Sequence, residues 1–178
     1  MSIGLQRGTV KLSKSHFDEW QEEYEKEKRV LLDKIGDRIL EIHHVGSTSV
    51  PDLEAKPIID IIAVIDKLDD YKQLVKPLEE IGYTFMKDRM FVIKDRVFFP
   101  KGPEANRTHH LSLVVKDGGQ YKDNLLFRDY LTNHVEARKA YQELKRGLAK
   151  TFANDRESYT KAKEDFIINI LKKARAGK

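Results

Sequence analysis

The stretch His43-His44-Val45-Gly46-Ser47-Thr48-Ser49-Val50-Pro51 ends an apolar segment in a glycine-hydroxyl turn, and Asp60 stands inside the next apolar run, Lys56-Pro57-Ile58-Ile59-Asp60-Ile61. A tight glycine turn lets backbone N–H groups approach a phosphate, and a carboxylate on a neighbouring strand can hold a metal. That pairing is the logic of a nucleotidyl-transfer site. In this reading Gly46, Ser47, Thr48 and Ser49 bind phosphate, with Lys56 and Arg107 as counter-charges. The same residues also suit a strand, a polar turn with helix caps, and an Asp that only pairs, because Gly-Ser…Asp is a loose pattern.

Strand alternation puts Asp60 on one sheet face with Ile58 and Ile62, and puts His110 on one face with Ser112. If the segment around His110 lies beside the segment around Asp60, the two side chains meet. They would then form a metal pair, a base with its orienter, or a structural hydrogen bond. His43 and His44 point to opposite faces, so at most one joins the site. His44, nearest the turn, is the candidate third metal ligand.

The elements that must position these groups can be read from periodicity. Residues 15–35 form an amphipathic helix with Ser15 and Asp18 as a capping-box start, Phe17, Trp20, Tyr24, Leu31 and Ile35 on one face, and Gly36 as the stop. A strand covers 38–45, and a turn over 46–56 holds a short helix starting near Ser49. Residues 57–65 are almost all apolar and β-branched, which predicts a central strand covered on both faces. An ionisable Asp60 there must be paired, hydrogen-bonded or metal-bound. A helix follows over 68–81, closed by Gly82. Short strands follow at 83–86, 90–93 and 96–99, with a turn at Lys94-Asp95, and another strand at 109–115. From about 120 the period is helical, through Leu125, Leu126 and Tyr130, then Tyr141, Leu144, Leu148 and Phe152. A last helix through Tyr159, Phe166, Ile167, Ile170 and Leu171 is capped by Asn154 or Asp155. The outline is α+β: a mixed sheet of about five strands with flanking helices and a helical C-terminal part. Residues 1–178 read as a single unit, with an α/β core to about 118 and helices from about 119.

The chain has 178 residues, 40% hydrophobic and 35% charged, which is enough apolar material for a core under a wet surface. It has no cysteine, which excludes disulfides, thiolate chemistry and cysteine metal sites and fits a cytoplasmic protein. The N-terminal residues show no signal-peptide core, and no apolar run matches a membrane span. The net charge is +4, from 33 basic and 29 acidic residues. The bases are interspersed with acids, which argues for a small anionic ligand over nucleic acid. A homo-oligomer is compatible with the helical C-terminus. Walker A, Gly-x-Gly-x-x-Gly, His-Glu-x-x-His and Gly-x-Ser-x-Gly patterns are all absent.

The string from His44 to Pro51 followed by Lys56 to Ile61 resembles the signature of the bacterial GrpB family. The likeness continues through Gly82-Tyr83, Arg107-Thr108-His109-His110-Leu111, Phe127-Arg128-Asp129-Tyr130-Leu131, Leu144-Lys145 with Leu148-Ala149, and Tyr159-Thr160-x-Ala162-Lys163. It implies a nucleotidyltransferase-like fold, with the Gly46-Ser47 turn after the first core strand and Asp60 on the next. Related domains occur fused to dephospho-CoA kinase. Working nucleotidyltransferases carry acid-x-acid on that strand and a third acid from a later one, together holding Mg²⁺. Here Asp60-Ile61-Ile62 lacks the second acid, the later strand offers His110 and Ser112, and Asp52 replaces the family's usual glycine after Val-Pro.

The resemblance therefore implies Asp60 and His110 as catalytic residues and Asp60, His110 and His44 as ligands of a divalent metal, Mg²⁺ or Mn²⁺ with Zn²⁺ as another option. Asp52 or Glu54 would be supplementary acids. The expected activity is metal-dependent nucleotidyl transfer from a nucleoside triphosphate to a small acceptor. The alternative is a non-catalytic accessory module that binds a nucleotide or CoA-like phosphate, and behind it stands a structural protein with a vestigial site.

Overall fold

The computed structural model describes residues 3–86 and 95–177. Helix α1 spans Phe17–Ile35 and strand β1 spans Glu41–Val45. A single 3-10 turn at Ser47–Ser49 leads to β2 at Ile59–Ile65, and α2 follows at Tyr71–Glu80. Strands β3 (Arg96–Lys101) and β4 (His109–Val115) precede four helices: α3 (Gly119–Asn133), α4 (Val135–Thr151), α5 (Arg156–Lys161) and α6 (Glu164–Ala176). Among the described residues no helix is long and apolar enough to cross a membrane.

The described sheet has four strands in the order β1-β2-β4-β3, with β2 and β4 parallel and both outer pairs antiparallel. The mixed α+β architecture is the expected one, and the strand count is smaller than expected. Residues 83–86 run beside β3, with Thr84 N–H donating to Pro100 at 2.9 Å, but make only an isolated bridge between Tyr83 and Lys101. The expected strand at 90–93 lies outside the described residues, as does Lys94 of the expected turn.

Strand alternation sorts the core into two faces. Ile59, Ile61, Ala63 and Ile65 of β2 pack with Leu111 and Leu113 of β4 against Trp20, Tyr24, Leu31 and Ile35 of α1 and Leu74 and Leu78 of α2. The opposite face carries Val45, Ile62, Val64 and Val114 under Tyr121 and Leu125 of α3. A third cluster joins Val50 and Leu53, from the loop after the Ser47–Ser49 turn, to Leu131, Tyr141, Leu144 and Phe166 of the C-terminal helices. Each such buried aliphatic side chain stabilises the fold by about 1.5–3 kcal/mol relative to exposure. That loop is therefore clamped between the sheet and the C-terminal helices, which fixes the glycine turn.

Two helix ends differ from expectation. The N-cap of α1 is His16, whose carbonyl accepts Trp20 N–H at 2.9 Å, so Ser15 does not cap it. The helix expected through Tyr159 to Leu171 breaks at Ala162–Lys163 into α5 and α6. Asp155 caps α5 by accepting Ser158 N–H at 3.0 Å.

Candidate functional site

Parallel pairing of β2 with β4 sets Asp60 directly opposite His110, and antiparallel pairing of β1 sets Val45 opposite Asp60. The glycine turn thus begins beside the Asp60 carboxylate. Gly46 has φ +73°, and a Cβ built on it would lie 2.6 Å from Asp60 Oδ2. Glycine is required here twice over, for the left-handed backbone and for this close approach. His110 Nδ1 lies 3.0 Å from Asp60 Oδ1. Arg156 Nη2 is 3.3 Å from His110 Nε2. The same Nη2 is 3.5 Å from Nδ1, so the guanidinium lies against the face of the ring, while Nδ1–H donates to Asp60.

Asp60 and His110 line a cavity of about 140 Å³ together with Gly46, Ser47, Thr48, Lys56, Lys145, Arg156 and Lys163. Four cationic side chains therefore share the lining with one carboxylate. Lys145 Nζ donates to Ser47 Oγ at 3.2 Å and to the Glu54 carbonyl. Lys56 and Lys163 Nζ lie 5.5 and 4.3 Å from the centre of the Tyr159 ring.

The electrostatics follow from this crowding. Burial, with the Arg156 and Lys163 charges beside it, pushes Lys56 down to about 7. Burial and the Lys163 charge push Lys145 down to about 7 against the pull of Glu54. Burial pushes Lys163 down to about 8, with Asp60 opposing. The Asp60 side chain is 43% exposed toward the cavity yet ringed by protein. Burial alone would raise its pKa, but the His110 hydrogen bond and the charges of Lys56 and Arg156 outweigh burial, so it stays below the usual carboxylate value. Burial pushes the His110 imidazole down, and the Asp60 carboxylate opposes that shift without reversing it. A neutral His110 holding an ionised Asp60 in one orientation satisfies both directions.

The model of the GrpB protein family matches residues 10–173. The chain belongs to the GrpB family. It is 38% identical over 163 residues to a UPF0157 protein of Pseudomonas aeruginosa, covering 88% of this chain and 64% of that one. It is 34% identical over 172 residues to the glutamate-rich protein GrpB of Alkalihalophilus pseudofirmus, covering 95% and 98% of the two chains. A dephospho-CoA kinase of Mycolicibacterium paratuberculosis is 26% identical over 180 residues, covering 88% of this chain and 44% of that one. Among solved structures, GrpB from Enterococcus faecalis superposes with a TM-score of 0.83 at 33% identity, covering 92% and 96% of the two chains. The Cid1 poly(U) polymerase, solved with MgGTP bound, matches with a TM-score of 0.52 at 14% identity, over 79% of this chain and 44% of that one. That likeness shows a shared nucleotidyltransferase-like fold.

Within this GrpB chain the expected site residues separate. Asp60, His110, Gly46, Ser47, Thr48 and Lys56 meet at the cavity. His44 does not join them: it pairs opposite Ile61, and so faces the α1 side of the sheet. There it stacks on Tyr24 at 4.8 Å and bonds Gln21 through Nδ1 and Thr48 Oγ1 through Nε2, at 2.9 Å for the latter. Burial pushes it down to about 4, so it is a neutral structural histidine. Ser49 Oγ donates to the Gly46 carbonyl at 2.7 Å, bracing the turn from outside the cavity lining. Arg107 is buried away from the cavity, its guanidinium donating to the Gly102 carbonyl. The loop acids also point elsewhere. Asp52 pairs with Arg138 at 3.4 Å, and Glu54 pairs with Arg146 at 2.8 Å.

The sequence reading missed Lys145, Arg156 and Lys163 as site residues. Lys145 carried a usable signal: it lies four residues after Tyr141 and three before Leu148, on the apolar face of α4. Arg156 and Lys163 owe their placement to the break between α5 and α6.

The donor set does not fit a resident divalent metal. No group of three His, Cys, Asp or Glu side chains converges among the described residues. Of the cavity's carboxylate and imidazole groups, His110 gives Nδ1–H to Asp60 and has the Arg156 guanidinium against its ring. One carboxylate is a poor clamp for a hard cation, which takes six or more oxygens.

Proposed function

We propose that this GrpB chain binds the phosphate end of a small ligand, a nucleotide or a CoA-like molecule, as an accessory module. The observation that carries this reading is the convergence of Lys56, Lys145, Arg156 and Lys163 with Ser47 on a small cavity beside the glycine turn. A cavity lined by four basic side chains and one carboxylate favours an entering anion over a cation. Arg and Lys are the side chains that recognise phosphate. The similarity to part of a dephospho-CoA kinase supports a CoA-like ligand.

The test is a thermal-shift screen of the purified chain against ATP, GTP, CTP, UTP, CoA and dephospho-CoA, each with Mg²⁺, Mn²⁺, Zn²⁺ or EDTA. A ligand held at a hundred times its Kd adds about 2.7 kcal/mol of stability. A shift with at least one of these ligands is expected. Cooperative melting with no shift under any condition would sink the reading.

Nucleotidyl transfer is the second reading, favoured by the placement of Asp60 beside a Gly-Ser turn in a fold shared with a polymerase. It requires pyrophosphate release from a nucleoside triphosphate, and loss of that release in Asp60→Asn.

A further inference from the structure

We infer that the phosphate group seated at the Gly46–Ser47 turn is free of metal, its charge met by Lys56, Lys145, Arg156 and Lys163, so that the ligand is an uncomplexed phosphate monoester or diphosphate end and not a magnesium–nucleotide complex. This rests on the phosphate-binding reading above and specifies the form of ligand that the site accepts.

Three observations carry it. The first is the balance of charge around the cavity: four cationic side chains face one carboxylate. A divalent cation entering there meets more basic than acidic groups, whereas a bare phosphate meets the reverse and favours the protonated form of the lysines. Magnesium bound to a polyphosphate cancels much of the negative charge that this lining would attract.

The second is the commitment of Asp60. Its Oδ1 accepts from His110 at 3.0 Å, and its Oδ2 occupies the space that a Cβ at Gly46 would need. Arg156 Nη2 lies 3.3 Å from Nε2 and 3.5 Å from Nδ1 of His110, which sets a positive charge against the ring and opposes a cation beside it. Asp60 therefore acts as a positioning residue. It anchors His110 and offsets part of the cationic charge when no ligand is present.

The third is size. A cavity of about 140 Å³ is well below the roughly 300–1,000 Å³ of sites that engulf drug-sized ligands. It has room for phosphoryl groups, and the remainder of the ligand stays outside. The lysine heads act as compact point charges with three donors each, matched to phosphate oxygens of any orientation. Ser47, already touched by Lys145 at 3.2 Å, places a hydroxyl and the turn backbone on the same anion.

The test is calorimetric titration of the full chain with inorganic pyrophosphate in EDTA, then in excess Mg²⁺. Binding in EDTA should be at least as tight as with Mg²⁺. Asp60→Asn keeps the shape of the side chain and an acceptor for His110, and should bind pyrophosphate several-fold tighter because it removes the one negative charge. Lys163→Gln should bind about tenfold more weakly, the loss of one charge-assisted hydrogen bond, while Lys172→Gln on the exposed tail should match the parent. Binding that appears only with Mg²⁺ would overturn the inference and leave the phosphate reading standing. Loss of binding in a cooperatively melting Asp60→Asn would do the same. Silence toward pyrophosphate in both conditions, in a chain that also fails the ligand screen, would remove both.

Discussion

His109 and His110 are neighbours in sequence and sit in two buried polar clusters on opposite faces of the sheet, only one of which is electrically balanced. On the α1 face, Glu27 is 6% exposed and accepts Lys101 Nζ through both oxygens at 2.8 Å and the Tyr83 hydroxyl at 2.9 Å. His109 lies beside it, 3.9 Å from Glu27, and burial pushes it down to about 4, so it adds no charge. One acid meets one base and the cluster is closed by the protein itself. On the other face one acid meets four bases, and those charges open onto a cavity. A closed, balanced cluster locks α1 to the sheet. The open cluster, with its excess of bases, is what the phosphate-binding proposal rests on.

The comparison can be broken from the structural side first. Glu27→Ala leaves Lys101 and Tyr83 without their acceptor and should cost about 3 kcal/mol of unfolding free energy, read by urea denaturation. The pyrophosphate affinity of the folded fraction should stay unchanged. A large loss of affinity would mean that the two faces are coupled.

Gly46→Ala comes next in size. It forces a side chain into a left-handed backbone and against Asp60, for about 2 kcal/mol of destabilisation. Unlike Glu27→Ala it should also abolish phosphate binding, since the turn must move. A variant with full affinity would show that the turn does not touch the anion.

Lys56→Met sharpens the contrast from the other side. It removes one cation from the surplus, so stability should change by less than about 1 kcal/mol while pyrophosphate affinity falls about tenfold. Denaturation and calorimetry on the same sample separate the two effects.

The last test varies pH and acts on all three lysines at once. Lys56 and Lys145 sit near 7 and Lys163 near 8 in the folded chain, against about 10.4 for an unfolded lysine. Above pH 7 the folded chain releases protons that the unfolded chain still holds. The unfolded state then binds more protons, so the stability of the ligand-free protein rises between pH 7 and 9. Affinity for sulfate, which does not titrate there, should fall over the same interval. Stability and affinity moving in the same direction would contradict the lysine assignment.

Much of the fold was legible because local physics fixes it. The β-branched run through Ile59–Ile65 did form a strand with neighbours on both sides, and the spacing of Trp20, Tyr24, Leu31 and Ile35 did form one helix face. Asp155 capped a helix for the reason its type suggests. The segment 83–86 does run beside β3, through the Tyr83–Lys101 bridge and the bonds of Thr84 to Pro100 and Met86 to Phe98. Part of the site was legible too. Alternation placed Asp60 and His110 on facing positions once their strands were neighbours, and Gly46 marked the turn.

The sequence by itself determined the periodicity of the elements, the glycine at the turn and the unusual carboxylate within an apolar strand. Only the tertiary structure decided which side chains share the cavity. Antiparallel register sent His44 to the α1 face, because a single-residue step reverses the side of a sheet. A backbone carbonyl at Gly102 claimed Arg107. Lys145 reached Ser47 across 98 positions of chain, and Arg156 reached His110 across 46. Such contacts depend on how helices pack on a sheet, and the composition of a local window holds no record of them.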